Sequence, residues 1–120
     1  MKTINIEEKL KLIDKQWHPH QIATVNDMQV CLAKLEGEFV WHSHDEEDEL
    51  FLVVKGTLIM KFRDRTEIIS EGEMIVVPKQ VEHCPVTENG EVHVILFEKQ
   101  TVKHTGNTKH EKTVNYFPKI

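Results

Sequence analysis

The sequence predicts an all-β domain, an antiparallel sandwich or barrel, with a short N-terminal helix and a C-terminal tail. The chain has 120 residues, which is the length of one domain. From residue 21 onward, about eight short apolar segments recur at intervals near ten residues, with turn residues and no long helix between them. We therefore expect a single domain over residues 1–120: a helical segment at 1–20, a barrel at 21–100 and a tail at 101–120.

The N-terminal helix is predicted over residues 6–13. Asn5 is a residue type that caps helices, and Ile6, Leu10 and Ile13 have the spacing of one helical face. A helix of about two turns is marginal in water, so we expect this face to pack on the barrel.

The strands are predicted from runs of apolar and β-branched residues that end at turn signals. Asn26-Asp27 suits a two-residue hairpin, and Asp64-Arg65 suits another turn. The predicted strands are residues 21–25, 28–35, 39–44, 49–54, 57–63, 66–70, 74–77 and 91–98.

Composition excludes several classes of protein. The formal net charge is −5, whereas nucleic-acid and anionic-membrane binders need an excess of basic residues. The longest apolar run, Leu50–Val54, is far shorter than the roughly 18 residues of a spanning helix, and no leader pattern follows Met1. We expect a soluble, cytoplasmic protein with no nucleic-acid or membrane partner, in which Cys31 and Cys84 are reduced core residues.

Eight histidines are many for this length, and two of them suggest a metal site. His42 and His44 are two apart on a predicted strand, so both rings leave the same face. Glu49 opens the next strand and can face them across an antiparallel pair, and His83 offers a further imidazole. Such a donor set suits divalent iron, manganese, nickel, copper or zinc, whose identity the sequence does not give.

These residues resemble the two motifs of the small single-domain cupins. The positions that match, in order, are His42, His44, Glu49 and Gly56 in the first motif, and Gly72, Pro78 and His83 in the second. The resemblance covers roughly residues 20–100. It implies a conical jelly-roll barrel with one central metal ion, whose ligands would be His42, His44, Glu49 and His83.

Three positions depart from the cupin pattern. Gly37 lies one residue closer to His42 than the pattern places it, Gln80 stands where a glycine is usual, and Thr87 stands where an asparagine is usual. No ligand is lost. The change at Gln80 predicts a different loop conformation, with this side chain turned toward the barrel mouth.

The remaining histidines are expected to lie away from the metal. His93 shares a strand face with Ile95 and Phe97; it either points inward beside the site or makes a hydrogen bond in the core or on the surface. We expect exposed positions outside the barrel for four others, namely His18, His20, His104 and His110.

The tail at residues 101–120 has two interpretations. It is either partly disordered or a clasp in which Tyr116 and Phe117 dock on the barrel or on a second subunit. A homodimer is expected, because Met74–Val77 is apolar on both faces and because the resemblance favours dimers.

Taken together, the sequence predicts a mononuclear metal cupin that binds or converts a small polar molecule in the barrel mouth. An organic acid, a sugar derivative or an enolisable carbonyl compound fits two open metal positions, and the reaction would be that of a dioxygenase or an isomerase. The alternative is a non-catalytic binding or sensor cupin with a structural metal. Neither the substrate nor a catalytic residue follows from the sequence.

Overall fold

The computed structural model describes residues 1–120 and contains one helix and eight strands. No helix in the chain has the length and apolar character needed to cross a membrane. The elements are α1 (Ile6–Leu10), β1 (His20–Val25), β2 (Met28–Leu35), β3 (Glu49–Lys55), β4 (Leu58–Phe62), β5 (Thr66–Ile69), β6 (Met74–Val77), β7 (His83–Val86) and β8 (Val92–Lys99).

The strands form two antiparallel sheets, as expected for the predicted all-β jelly-roll class, which is confirmed. The larger sheet has the order β1-β2-β8-β3-β6, and the smaller has the order β5-β4-β7. Both sheets contribute to one buried cluster, for example through Val53 and Val94 from the larger sheet and Met60 from the smaller. The core therefore lies between the inner faces of the sheets.

In strand β8, the alternation of buried and half-buried residues shows which side chains face the core. Val92, Val94, Leu96 and Glu98 are buried and point inward, whereas the residues between them are half-buried. The register pairs Glu98 with Glu49 of β3. One carboxyl group thus lies opposite another at the buried end of this strand pair.

Helix α1 covers part of the outer face of the larger sheet. The Asn5 side chain accepts a hydrogen bond from the Glu8 N–H at 2.9 Å, as predicted for a cap. Leu10 and Ile13 pack against Leu32 of β2. The helix ends at Leu10 rather than at Ile13, and the turn that follows still buries Ile13.

The strand predicted over residues 39–44 does not form, which corrects the sequence prediction. That segment is joined to the smaller sheet only by two isolated bridges, Glu38 with Val86 and His42 with His83. Strand β7, which was not predicted, supplies both partners. It contains Pro85, a residue that argues against a strand in the sequence because it cannot donate to a ladder.

The C-terminal segment folds back over the barrel, so the clasp interpretation is correct for part of it. We call residues 101–117 the strap. Phe117 packs against the core cluster, whereas Tyr116 remains 74% exposed and does not dock within the chain. Beyond the strap, the Gln21 N–H donates to the Pro118 carbonyl at 2.7 Å, which fixes the end of the chain beside β1.

Candidate metal centre

Four buried side chains converge inside the barrel. His42 and His44 come from the extended segment before β3, Glu49 opens β3 and His83 opens β7. One potential ligand atom from each residue lies within 4.8 Å of the others. The backbones of His42 and His83 exchange two hydrogen bonds of 3.0 and 2.9 Å, and the two rings lie next to each other, with centroids 4.3 Å apart and planes tilted by 51°.

Backbone carbonyls set the tautomer of two of these rings. His42 Nδ1 lies 2.9 Å from the Val40 oxygen, and His83 Nδ1 lies 2.9 Å from the Val81 oxygen. A carbonyl only accepts, so each Nδ1 carries the hydrogen and donates it. Both Nε2 atoms therefore keep a lone pair, which is the arrangement found in metal-binding histidines.

Several polar atoms in the cluster have no hydrogen-bond partner. They are both ring nitrogens of His44 and Nε2 of His83. The contacts to Glu49 Oε1 are long, 3.4 Å from His44 Nε2 and 3.7 Å from His83 Nε2. Because burying unpaired polar atoms is costly, and one cation would satisfy His83 Nε2 and one nitrogen of His44, these residues fit a metal ion.

The electrostatic environment prepares the ligands for a cation. Burial, reinforced by His83, lowers the pKa of His42 to about 4, so this ring is neutral near pH 7. Burial also opposes ionisation of Glu49, but contacts with Glu98, His44 and His83 outweigh it and hold the Glu49 pKa well below its usual value. The pKa of His44 is raised because Glu49 outweighs the effect of burial.

Glu98 is a second buried carboxyl group that the sequence argument missed. It is fully buried, and burial together with the Glu49 charge raises its pKa well above the usual value, so Glu98 is the protonated member of the pair. Gln29 Nε2 donates to Glu98 Oε1 at 3.4 Å, and Gln21 Nε2 donates to Gln29 Oε1 at 3.0 Å. The sequence contained one signal for Glu98: it lies two residues after Leu96 and four after Val94, so its side chain points to the same inward face of the strand.

Two other polar residues lie away from the cluster. His93 is on the outer face of β8, with Nε2 2.8 Å from Glu91 Oε1, so the surface hydrogen-bonded interpretation is correct. Gln80 is exposed rather than turned into the mouth. Its φ of +68° is in the left-handed region that favours glycine, and its N–H donates to the His44 carbonyl at 2.6 Å.

The prediction that His104 is exposed and outside the barrel is wrong. Its ring packs against Phe39, with centroids 4.9 Å apart, and Phe39 in turn stands edge-on to His42. Nδ1 accepts the Val114 N–H at 3.0 Å. Burial lowers the pKa of His104 to about 4. The strap produces this burial, and no periodicity in the sequence reveals it.

The other three histidines predicted to be exposed differ among themselves. His110 is exposed as predicted, whereas His18 and His20 are half-buried. The rings of His18 and His20 lie with centroids 5.0 Å apart. His20 is also the first residue of β1, so it belongs to the barrel.

The space around the cluster is small. On the apolar side, a cavity of about 30 Å³ lies among Trp17, Phe39, Phe51 and His104, which is room for about one water molecule. On the other side, a cleft of about 160 Å³ lies between the acidic turn at residues 45–47 and the strap. His44 lines this cleft, which has no hydrophobic residue in its wall.

Comparison with known proteins agrees with this geometry. The cupin domain pattern Cupin_2 matches residues 28–98, a range that includes all four clustered residues. Protein YdbB of Bacillus subtilis (strain 168) is 40% identical over 63 residues, which is 52% of this chain and 56% of YdbB. The match therefore spans little more than half of that relative.

Two solved structures are similar over most of this chain. A cupin-2 domain containing protein from Shewanella frigidimarina NCIMB 400 has 45% identity and a TM-score of 0.78, covering 80% of this chain and 93% of that one. Protein NMB1881 from Neisseria meningitidis has 37% identity and a TM-score of 0.74, covering 82% of this chain and 99% of that one.

Proposed function

Since this chain belongs to the Cupin_2 family of cupin domains, we propose that His42, His44, Glu49 and His83 hold one divalent transition-metal ion. The observation that carries the proposal is the set of unpartnered buried nitrogens on His44 and His83 beside the charged Glu49. Iron, manganese, nickel, copper and zinc all accept imidazole and carboxylate ligands. When bound, such an ion would polarise a chelating oxygen and, if redox-active, support dioxygen chemistry.

The residues around the cluster prepare the site for a small polar ligand. Val40 and Val81 fix the His42 and His83 rings through their carbonyls, so little reorganisation is needed on binding. The protonated Glu98 lies beside Glu49, where it can hold a proton next to the ligand set. The wholly polar wall of the cleft at His44 favours a hydrophilic molecule.

The proposed ligand is an organic acid, a sugar derivative or an enolisable carbonyl compound, bound where the cleft meets the metal. The corresponding activity is that of a metal-dependent dioxygenase or isomerase. The second candidate is a non-catalytic binding or sensor module. The buried ligand set and the small cleft at His44 favour it.

A ligand screen on metal-loaded and metal-stripped protein tests this function. At least one compound of the three classes should raise the melting temperature of the loaded protein and not that of the stripped protein, because it binds through the ion. Oxygen uptake and product formation then separate the two candidates, and binding without turnover identifies the sensor module. Equal responses to every compound from loaded, stripped and His83→Ala protein would contradict metal-dependent binding.

We also propose that the chain forms a homodimer through the outer face of β3 and β6. Leu50 pairs with Val76 and Leu52 with Met74 across these strands, and Met74 and Val76 are 59% and 51% exposed. Helix α1 covers only the other part of this sheet, and exposed apolar patches commonly mark interfaces. The net charge of −5 supports a protein without nucleic-acid or membrane partners, and the two free, buried cysteines support a cytoplasmic one.

Light scattering after gel filtration tests the dimer. Val76→Lys should yield monomers, because a buried lysine at the centre of the interface is costly. The matched control is Ile68→Lys, which places the same charge at an exposed apolar position on β5. A monomeric wild-type protein, or dimers of the Val76 variant, would contradict this interface.

A further inference from the structure

A cavity of about 650 Å³ lies between the strap and the start of the larger sheet. Its volume is typical of sites that bind small molecules, and it is far larger than the spaces beside the metal cluster. None of the four candidate metal ligands lines it. The cavity is therefore distinct from the metal cluster. Residues between 100 and 117 form most of its wall, and Gln21 of β1 and Gln29 of β2 complete it.

The wall of this cavity has an unusual charge for this chain. The protein has 20 acidic residues, but no Asp or Glu lines the cavity, whereas Lys103 and Lys109 do. Most other lining side chains are amides and hydroxyls from Gln, Asn and Thr residues. Such a wall combines positive charge with many hydrogen-bonding groups, which favours an anion that also carries hydroxyl groups.

The polar groups on the barrel side and in the strap are held in place. Gln21 and Gln29 are 9% and 4% exposed and hydrogen-bond to each other at 3.0 Å. Thr105 is 1% exposed and shares a hydrogen bond of 2.8 Å with Thr113. These internal hydrogen bonds satisfy the buried groups and hold them in fixed positions, so the polar wall of the cavity is prearranged for a polar ligand.

We propose that this cavity binds a small hydroxylated carboxylate, with Lys103 and Lys109 pairing with the carboxylate group. The amides of Gln21 and Gln29 and the neighbouring threonines receive and donate the hydroxyl hydrogen bonds. The site goes beyond the metal function and does not require the ion. Lys103 also lines the cleft that leads to His44, so the bound molecule lies beside the entrance to the metal centre.

Calorimetric titration of the full-length, metal-stripped protein tests the proposal with three probes. Gluconate carries both a carboxylate and hydroxyl groups, sorbitol keeps the hydroxyl groups without the charge, and hexanoate keeps the carboxylate without hydroxyl groups. The affinity for gluconate should be at least about tenfold higher than that for sorbitol or hexanoate, because one charge-assisted hydrogen bond contributes at least this much binding free energy. Absence of gluconate binding, or equal binding of sorbitol, would overturn the assignment.

Lysine variants locate the binding within the protein. The double variant Lys103→Gln/Lys109→Gln should weaken gluconate binding by at least about tenfold, because both charges near the carboxylate are lost. Lys99→Gln is the matched control, since Lys99 is exposed at the end of β8 and does not line the cavity. Equal affinity of the double variant and the control would overturn the assignment.

Metal loading distinguishes this site from the proposed metal function. Gluconate that binds stripped and His83→Ala protein as well as loaded protein occupies the strap cavity, whatever the outcome for the metal. Gluconate that binds loaded protein only is chelating the ion, which overturns the cavity site and leaves the metal function standing.

Discussion

The metal cluster and the strap cavity are the two polar interiors of this barrel, and they are built in opposite ways. The cluster is tight, with ligand atoms within 4.8 Å of one another on buried residues. The cavity has a volume of about 650 Å³ and is roofed by a segment without regular strands. Backbone bonds between His42 and His83 fix the first, whereas side-chain contacts of the strap form the second.

The two interiors also differ in charge. Glu49 is ionised in the cluster, and no acidic residue but two lysines line the cavity. Within one small acidic chain, the proposed cation site and the proposed anion site thus lie close together. Lys103 is the one charged residue among the four that line both the cavity and the cleft beside His44; the other three are Thr101, Gly106 and Asn107. Variants that affect one interior and leave the other intact test this separation.

The largest expected effect is on the metal cluster alone. His83→Ala should lower metal affinity by more than about 100-fold, since loss of a residue that only supports a ligand already costs about 10- to 100-fold. Competition with a chromophoric chelator measures this affinity. His93→Ala is the control, because His93 contacts Glu91 on the outer face. Equal loss in the two variants would contradict the ligand assignment.

Acid should loosen the strap through His104. Its pKa in the folded protein is about 4 against a usual 6.5, so protonation favours the unfolded chain. The stability provided by the neutral ring is complete above pH 6.5 and falls as the pH drops toward 4, by up to about 3 kcal/mol.

Urea unfolding of metal-stripped wild type and His104→Asn at several pH values measures this effect. The asparagine oxygen can accept the Val114 N–H in place of Nδ1 but does not titrate in this range, so the variant should lose less stability on acidification. The same pH dependence in both proteins would show that His104 is not the titrating group.

A smaller loss of stability is expected from substitution of Gly106, where the strap contacts Ser43 just before the acidic turn. A Cβ atom on Gly106 would lie 1.9 Å from the Ser43 oxygen, so Gly106→Ala must displace the strap. Gly90→Ala is the control, because Gly90 also has a positive φ but open space around it. Both should cost about 1–3 kcal/mol of backbone strain.

Only Gly106→Ala should also speed hydrogen exchange in residues 101–117 and weaken gluconate binding. Metal affinity should be unchanged in Gly90→Ala. In Gly106→Ala it should fall less than gluconate affinity, because the strap contributes no candidate ligand and the clash reaches only the backbone of Ser43, between His42 and His44. An equal loss of the two affinities would show that the two interiors are one unit.

Local signals in the sequence placed His42, His44 and Glu49 near one another, whereas the resemblance to the cupin motifs gave all four residues, His83 included, the role of ligands. His42 and His44 share a face through their spacing, and Glu49 begins a strand whose alternation is clear. Glu98 could have been found in the same way, since Val94 and Leu96 share its parity and point inward. The sheet order and β7 depend on pairing between distant residues, which alternation does not encode.

The strap cavity could not be predicted for a different physical reason. Residues 101–117 have no apolar periodicity, and their position depends on contacts with a turn far away in the chain. Asn107 Nδ2 donates to Asp45 Oδ2 at 2.8 Å, and Thr101 Oγ1 donates to Glu47 Oε2 at 2.9 Å. These contacts, together with the packing of His104 on Phe39, become visible only when the chain is folded.

Metal stoichiometry tests the central claim most directly. Metal-stripped wild-type protein, titrated at mildly alkaline pH where protons compete less with the ion for its ligands, should take up one transition-metal ion per chain. X-ray absorption of that ion should show imidazole and carboxylate ligands, and His42→Ala/His83→Ala should take up none. A wild-type protein without a saturable site, or a double variant that binds the ion equally well, would contradict the account.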